Sequence, residues 1–360
     1  MNVLFAIGNG YLPQFHGGVQ SSTHHLIAQL AAGGHSASVL ASLFGDGLFG
    51  LRARVKMKLL GQPAVVDRFP GYPVVRAWFP WEAVPFALEQ ARPDVAVVQC
   101  HKSVPLGKAL EAAGVPIVVY LRNVEFDELD GDPRELRSAH YIANSQFTAD
   151  TYKRVFGIES AVIPPSIDRK SYATESSKAF VTFINPYPVK GLQRAADIAR
   201  ACPDIPFLFV ESWKLDGERL VAAQSAIDGL ANVTMMPRTD DMRSVYGQTK
   251  ILLAPSQWEE AWGRVASEAH CSGIPVVGSR RGGLPEAIGE GGIVLDHDAP
   301  LTDWVDAVRR LWDDERHYIS MSERARQFSL RPALDPTRQF AAFLAVLEQA
   351  RAGNPLAHAA

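Results

Sequence analysis

Short apolar runs alternate with longer segments of helical period along nearly the whole chain. The runs at residues 3–7, 37–41, 95–99, 116–120, 141–144, 180–184, 232–236, 251–254, 274–277 and 293–295 carry few polar interruptions. Such runs predict strands buried on both faces, as in parallel sheets. Between them, apolar positions spaced three and four apart predict helices at 19–32, 104–113, 263–271, 302–312, 315–328 and 336–350, with another from Gln146. Glycines stand where these helices should stop, at Gly33-Gly34, Gly114, Gly157 and Gly273. Strand and helix alternating through both halves predicts two doubly wound α/β domains.

Composition changes this picture little. With 360 residues, 47% hydrophobic and 21% charged, the chain suits two ordinary globular domains. A net charge of −3 gives no general argument for nucleic acid, and none is expected as a partner. Three cysteines, Cys100, Cys202 and Cys271, are too scattered for a disulfide framework or a zinc cluster and are read as core residues. The first strand has no basic stretch before it, and no apolar run is long enough to span a bilayer. A soluble, cytoplasmic protein is expected, or one peripheral to the inner face of a membrane.

Candidate chemistry concentrates between Ile251 and Glu286. A buried strand ends at Pro255, and a polar loop then carries Glu259 and Glu260. A helix follows from Gly263, where free backbone N–H groups favour phosphate. Glu260 and Glu268 flank that helix start, and two carboxylates beside a phosphate make sense if they accept hydrogen bonds from sugar hydroxyls. The plain alternative is that both are solvated glutamates.

In order, the stretch holds Pro255-Ser256, Glu260, Glu268-Ala269, Gly273, Pro275-Val276-Val277, and Gly282-Gly283 with Glu286. This pattern resembles the donor-binding segment of the family 4 glycosyltransferases, retaining enzymes of GT-B fold. The resemblance implies two facing Rossmann-like domains with a cleft between them. The N-terminal, acceptor-side domain is expected over 1–165 and the nucleotide-sugar domain over 166–335, with 336–360 a helix crossing back to the first. It implies transfer of a sugar from a nucleotide-diphosphate donor to a hydroxyl acceptor (glycan, lipid-linked or small molecule), with retention and without metal or other cofactor. In that scheme Glu260 holds the donor sugar and Glu268 the ribose. Backbone N–H groups at Gly263 and Arg264, beside Val265, hold sugar or phosphate, and Pro237-Arg238 lie where relatives hold the base.

Other positions join on mixed grounds. Lys190, beside Gly191 at a helix start, suits a leaving diphosphate and matches the family. His101 directly follows the carboxyl end of a strand, where open α/β sheets place ligand groups, and relatives carry a histidine there. Gly8-Asn9-Gly10 begins a dinucleotide fingerprint, but Pro13 occupies the third glycine position. Gly17-Gly18, opening a helix, better suits a loop approaching the diphosphate. Asn185 stands where the family usually has arginine, Glu211 in place of a glycine-rich turn, and Pro165-Ser166 in place of Asn-Gly.

Residues 51–60 alternate Arg52, Arg54, Lys56 and Lys58 with apolar residues and hold no acid. Contact with an anionic membrane or acceptor is one expectation, and a solvated edge strand the other. Asp130-Gly131-Asp132 and Asp296-His297-Asp298 look like metal-binding Asp-x-Asp signatures but are read as turn residues. A GT-B-like sugar-nucleotide epimerase and a non-catalytic sugar-nucleotide-binding protein are the competing functions.

Overall fold

The computed structural model describes residues 1–353, so 354–360 of the expected C-terminal segment lie outside the described residues. The fold divides into two compact units, Met1–Ser166 with the chain from Thr337 onward, and Ile167–Pro336.

The first unit is built on an eight-stranded sheet. Its strands are β1 (Asn2–Gly10), β2 (Ser36–Ser42), β3 (Ala64–Asp67), β4 (Val74–Ala77), β5 (Val95–Gln99), β6 (Ile117–Leu121), β7 (His140–Ala143) and β8 (Ala161–Val162). They lie in the order β3-β4-β2-β1-β5-β6-β7-β8. All pairs are parallel except β3 with β4. The central runs are apolar on both faces because both are covered; Val3 to Ala6 are wholly buried. The helix Pro336–Ala352 belongs to this core, with Phe343 stacked on Phe5 at 6.3 Å between ring centres.

The second unit carries six parallel strands: β9 (Phe180–Ile184), β10 (Phe207–Val210), β11 (Val233–Met236), β12 (Thr249–Ala254), β13 (Val276–Ser279) and β14 (Gly292–Leu295). Their order is β11-β10-β9-β12-β13-β14. After β9 the chain winds one way to β10, and after β12 the other way to β13. The carboxyl ends of β9 and β12 are thus a topological switch point, where such sheets bind ligands. β1 and β5 form the equivalent switch point of the first unit.

Two expectations are corrected here. Residues 51–60 are not an edge strand but part of the helix Gly47–Leu60. The period-two alternation is overridden by Gly50, Ala53 and Met57, whose helical spacing buries them near Leu43 and Val65. Gly61, in the left-handed conformation, stops the helix. The first strand does not stop at residue 7, before the glycines of the partial fingerprint; β1 runs through both Gly8 and Gly10. A Cβ on Gly8 would lie 2.5 Å from the His101 carbonyl oxygen, so the close approach of β1 to the turn after β5 requires glycine.

Candidate functional site

At the second unit's switch point the loops after β9 and β12 are locked together. The backbone N–H groups of Gln257 and Trp258 both donate to the Val189 carbonyl, at 2.9 and 3.0 Å. Gly191 has φ +88, and a Cβ there would sit 2.0 Å from the Pro255 oxygen. That contact brings Lys190 Nζ within 2.7 Å of Glu260 Oε1. Ser256 Oγ donates to the same oxygen at 3.0 Å. The lysine ammonium lies 5.2 Å from the Trp213 ring centre and 5.3 Å from that of Trp258, within cation–π range.

Glu260's backbone is clamped from its other side. Gly283 N–H donates to the Glu260 carbonyl at 2.6 Å. Gly282, at φ +58, packs so tightly that a Cβ would meet that oxygen at 2.1 Å. Gly282-Gly283 therefore fix Glu260 as well as opening the helix Leu284–Ile288. Arg281 adds an ion pair to Glu259 at 2.8 Å.

Glu268 is not the solvated helix-face residue of the plain alternative. It lies on the helix Arg264–His270, whose cap Gly263 has φ +94, and it is buried. Tyr246 OH donates to its Oε2 at 3.0 Å, and Arg264 Nη2 stands 3.2 Å from Oε1. Burial works against the Arg264 charge, but Glu268 and Tyr172 outweigh it and raise its pKa. Burial and then the Glu268 charge hold Tyr246 well above its usual range, so it is a permanent donor. Val265, on the same helix, is half-buried against the adjoining core.

Pro237 and Arg238 are exposed after the edge strand β11, where Arg238 pairs with Asp240 at 2.9 Å. That loop leads into the helix Met242–Tyr246, which delivers Tyr246 to Glu268. Two of the three departures from the family pattern also have local roles. Asn185, at φ +69, accepts the Trp213 N–H at 3.2 Å, and Glu211 accepts that of Leu215 at 2.7 Å. Both order the loop that carries Trp213.

In the first unit His101 follows β5 between Cys100 (φ +55) and Lys102 (φ +61), two non-glycine residues in left-handed conformation. Such backbone costs of order 1–3 kcal/mol per residue and clusters at functional sites. Burial, then the neighbouring Lys102 charge, lowers the His101 pKa, so its ring is neutral at pH 7. Gly17 and Gly18 begin the helix that follows β1, at the same switch point. Gly17 is in extended backbone, and its neighbour Gln20 donates to the Gly10 carbonyl at 3.0 Å.

The aspartate tripeptides are engaged locally. Asp130 pairs with Lys102 at 2.9 Å, Asp132 caps the turn at Pro133–Glu135 and binds Arg134, and Asp296 pairs with Arg280 at 2.9 Å. Sequence reasoning placed Ser256 in the motif without giving it a role, and it missed Trp213 and Trp258 beside Lys190 and Tyr246 beside Glu268, which the fold brings there. It also missed Arg281, for which the Arg280-Arg281 pair before Gly282 was an available signal.

The lysine–glutamate pair lies at the switch point of a doubly wound sheet, the place where such α/β folds bind ligands. The family model described as Glycosyl transferases group 1 matches residues 169–328, and that described as Glycosyltransferase Family 4 matches residues 16–171. The chain belongs to the family 4 glycosyltransferases. It is 38% identical over 113 residues to a D-inositol 3-phosphate glycosyltransferase of Corynebacterium kroppenstedtii, covering 31% of this chain and 25% of that protein. A Segniliparus rotundus protein of the same name is 28% identical over 190 residues, covering 45% of this chain and 42% of that one. The matched stretches therefore span less than half the length of these relatives. The crystal structure of Anabaena HepE with UDP-glucose superposes with a TM-score of 0.76 at 18% identity, covering 96% of this chain and 100% of that one. A Rickettsia africae glycosyltransferase gives 0.74 at 12% identity, covering 97% and 98%. The fold is GT-B.

Proposed function

We propose that this chain transfers a sugar from a nucleotide-diphosphate sugar to a hydroxyl acceptor, with retention and without a metal ion, in the cytoplasm or peripheral to the inner face of a membrane. The observation that carries this reading is the Lys190–Glu260 pair, two partly exposed, oppositely charged groups at the switch point of the second sheet. A bound donor would part them: its diphosphate takes the ammonium, and a sugar hydroxyl donates to the carboxylate. The ribose hydroxyls fall to Glu268, already oriented by Tyr246 and Arg264. Arg238 and Pro237 would border the base, and Gly17-Gly18 the diphosphate.

In the reaction the anomeric C–O bond breaks and its electron pair passes to the departing diphosphate. The acceptor oxygen bonds to the same face of the anomeric carbon, and its proton goes to the departing phosphate oxygen. Lys190 stabilises the charge growing on the leaving group, the place a cation would otherwise fill. His101, uncharged at neutral pH, would contact the sugar as a hydrogen-bonding group.

UDP-glucose in the HepE crystals makes UDP-sugars the first donors to test, and the name of the Corynebacterium relatives makes an inositol phosphate the first acceptor. Thermal midpoints with UDP, GDP, dTDP and ADP sugars identify the donor, because a ligand at a hundred times its Kd adds about 2.7 kcal/mol. Product from the matching donor should keep the anomeric configuration and form in excess chelator. Inversion, or loss of activity restored only by Mg²⁺ or Mn²⁺, would overturn the mechanism. Release of an epimerised sugar nucleotide without acceptor would make the protein an epimerase.

A further inference from the structure

The helix Gly47–Leu60 buries one side only, through Gly50, Ala53 and Met57. At about 100° per residue, Leu48, Leu51, Val55 and Leu59 fall on the opposite side as a single stripe. They are 73%, 50%, 49% and 80% exposed, so nothing among the described residues covers this apolar crest. Arg52 and Lys56 flank it on one edge, Arg54 and Lys58 on the other, all four exposed, and the helix holds no acidic residue. A solvated surface helix would place these bases on the outermost face. Here leucine and valine stand outermost and the bases lie to either side. Among the described residues no helix is long and apolar enough to cross a membrane.

We infer that this helix lies in the plane of an anionic bilayer, its crest among the acyl chains and its four bases at the lipid phosphates. Charge complementarity selects the occupant, since basic edges around an apolar crest match an anionic interface. Trp78, itself exposed, packs against Gly45 just before the helix and adds an aromatic group suited to the headgroup level. The helix is also tied to the carboxyl end of the first sheet. Phe44, two residues after β2, receives a 2.6 Å hydrogen bond on its carbonyl from Gln14, in the loop leading to Gly17. Docking would therefore hold that glycine loop near the lipid surface, where a lipid-borne hydroxyl acceptor would be found. This refines the membrane location of the proposed function, yet it is read out by vesicle binding, which needs no sugar transfer.

The full chain is sedimented with vesicles of phosphatidylcholine alone or mixed equally with phosphatidylglycerol. Binding is expected to the mixed vesicles only, weakened but not abolished by high salt. In R52Q/R54Q/K56Q/K58Q it should fall about fivefold per residue in contact. In L51Q/V55Q/L59Q the residual binding at high salt should disappear. Both variants should keep the wild-type thermal midpoint and UDP affinity, since the changed side chains are exposed. Failure of the wild type to bind, equal binding to both vesicle types, or unchanged binding in either variant would overturn the inference. So would a solution dimer lost in the crest variant without any vesicle binding, which would make the stripe a self-association face.

Discussion

Lys190 and Glu260, seventy residues apart in sequence, meet at 2.7 Å because Gly191 and Gly282 remove the side chains that would keep their loops from closing. The pair is 17% and 20% exposed, so water screens it only in part, and the cost of desolvating both charges offsets much of their attraction. What it provides is preorganisation: two charges held with Ser256 and two indole rings before any ligand arrives.

Lys190→Ala tests that division of labour. The thermal midpoint should move little, because Glu260 keeps its hydrogen bond from Ser256 and access to solvent. Binding of the nucleoside diphosphate should weaken about tenfold or more, the value of a charged hydrogen bond. Calorimetry beside a thermal melt measures both. A large midpoint loss with unchanged binding would make the pair a structural bridge.

Gly282→Ala should damage stability and transfer together. The left-handed backbone alone costs roughly 1–2 kcal/mol for a non-glycine residue, and the new Cβ would also displace the Glu260 carbonyl. Gly229→Ala is the control, since Gly229 has φ +72 but no atom within 4 Å of its added Cβ. The control should lose stability alone and keep wild-type transfer. Equal transfer in both variants would show that Glu260's position does not matter.

Much of the fold was legible because buried parallel strands announce themselves as uninterrupted apolar runs; β5 and β9 lie where the pattern put them. The edge-strand alternative for residues 51–60 arose because the bases alternate, while the three residues that turn inward in the helix Gly47–Leu60 are small or flexible and give a weak signal. The antiparallel β3–β4 pair escaped notice because its strands are only four residues each. In the site, Lys190, Glu260 and Glu268 were legible one by one. Their mutual arrangement was not, since it depends on close backbone approaches and on Tyr246, Trp213 and Trp258 arriving from other loops.

His101 carries the pH prediction. Its pKa is lowered by burial, so the folded protein binds this proton less tightly than the unfolded chain does. Acidification below the ordinary histidine range, about 6.5, should therefore cost stability, and kcat/KM should fall along an acid limb below that pH. His101→Gln should lower turnover, leave nucleotide binding nearly unchanged and flatten that limb. A wild-type turnover and pH profile in the variant would return His101 to a structural role.

The two glutamates are assigned different duties. Glu268, buried with Tyr246 and Arg264, is assigned to the ribose, which donor and free nucleotide share. Glu260, paired with Lys190, is assigned to the transferred sugar, which free nucleotide lacks. Calorimetric titration of Glu268→Gln and Glu260→Gln with the nucleoside diphosphate, run beside a transfer assay, separates them. Glu268→Gln should weaken that binding about tenfold or more, while Glu260→Gln leaves it almost intact and lowers transfer by a similar factor. Equal binding losses in the two variants would contradict this placement of the donor.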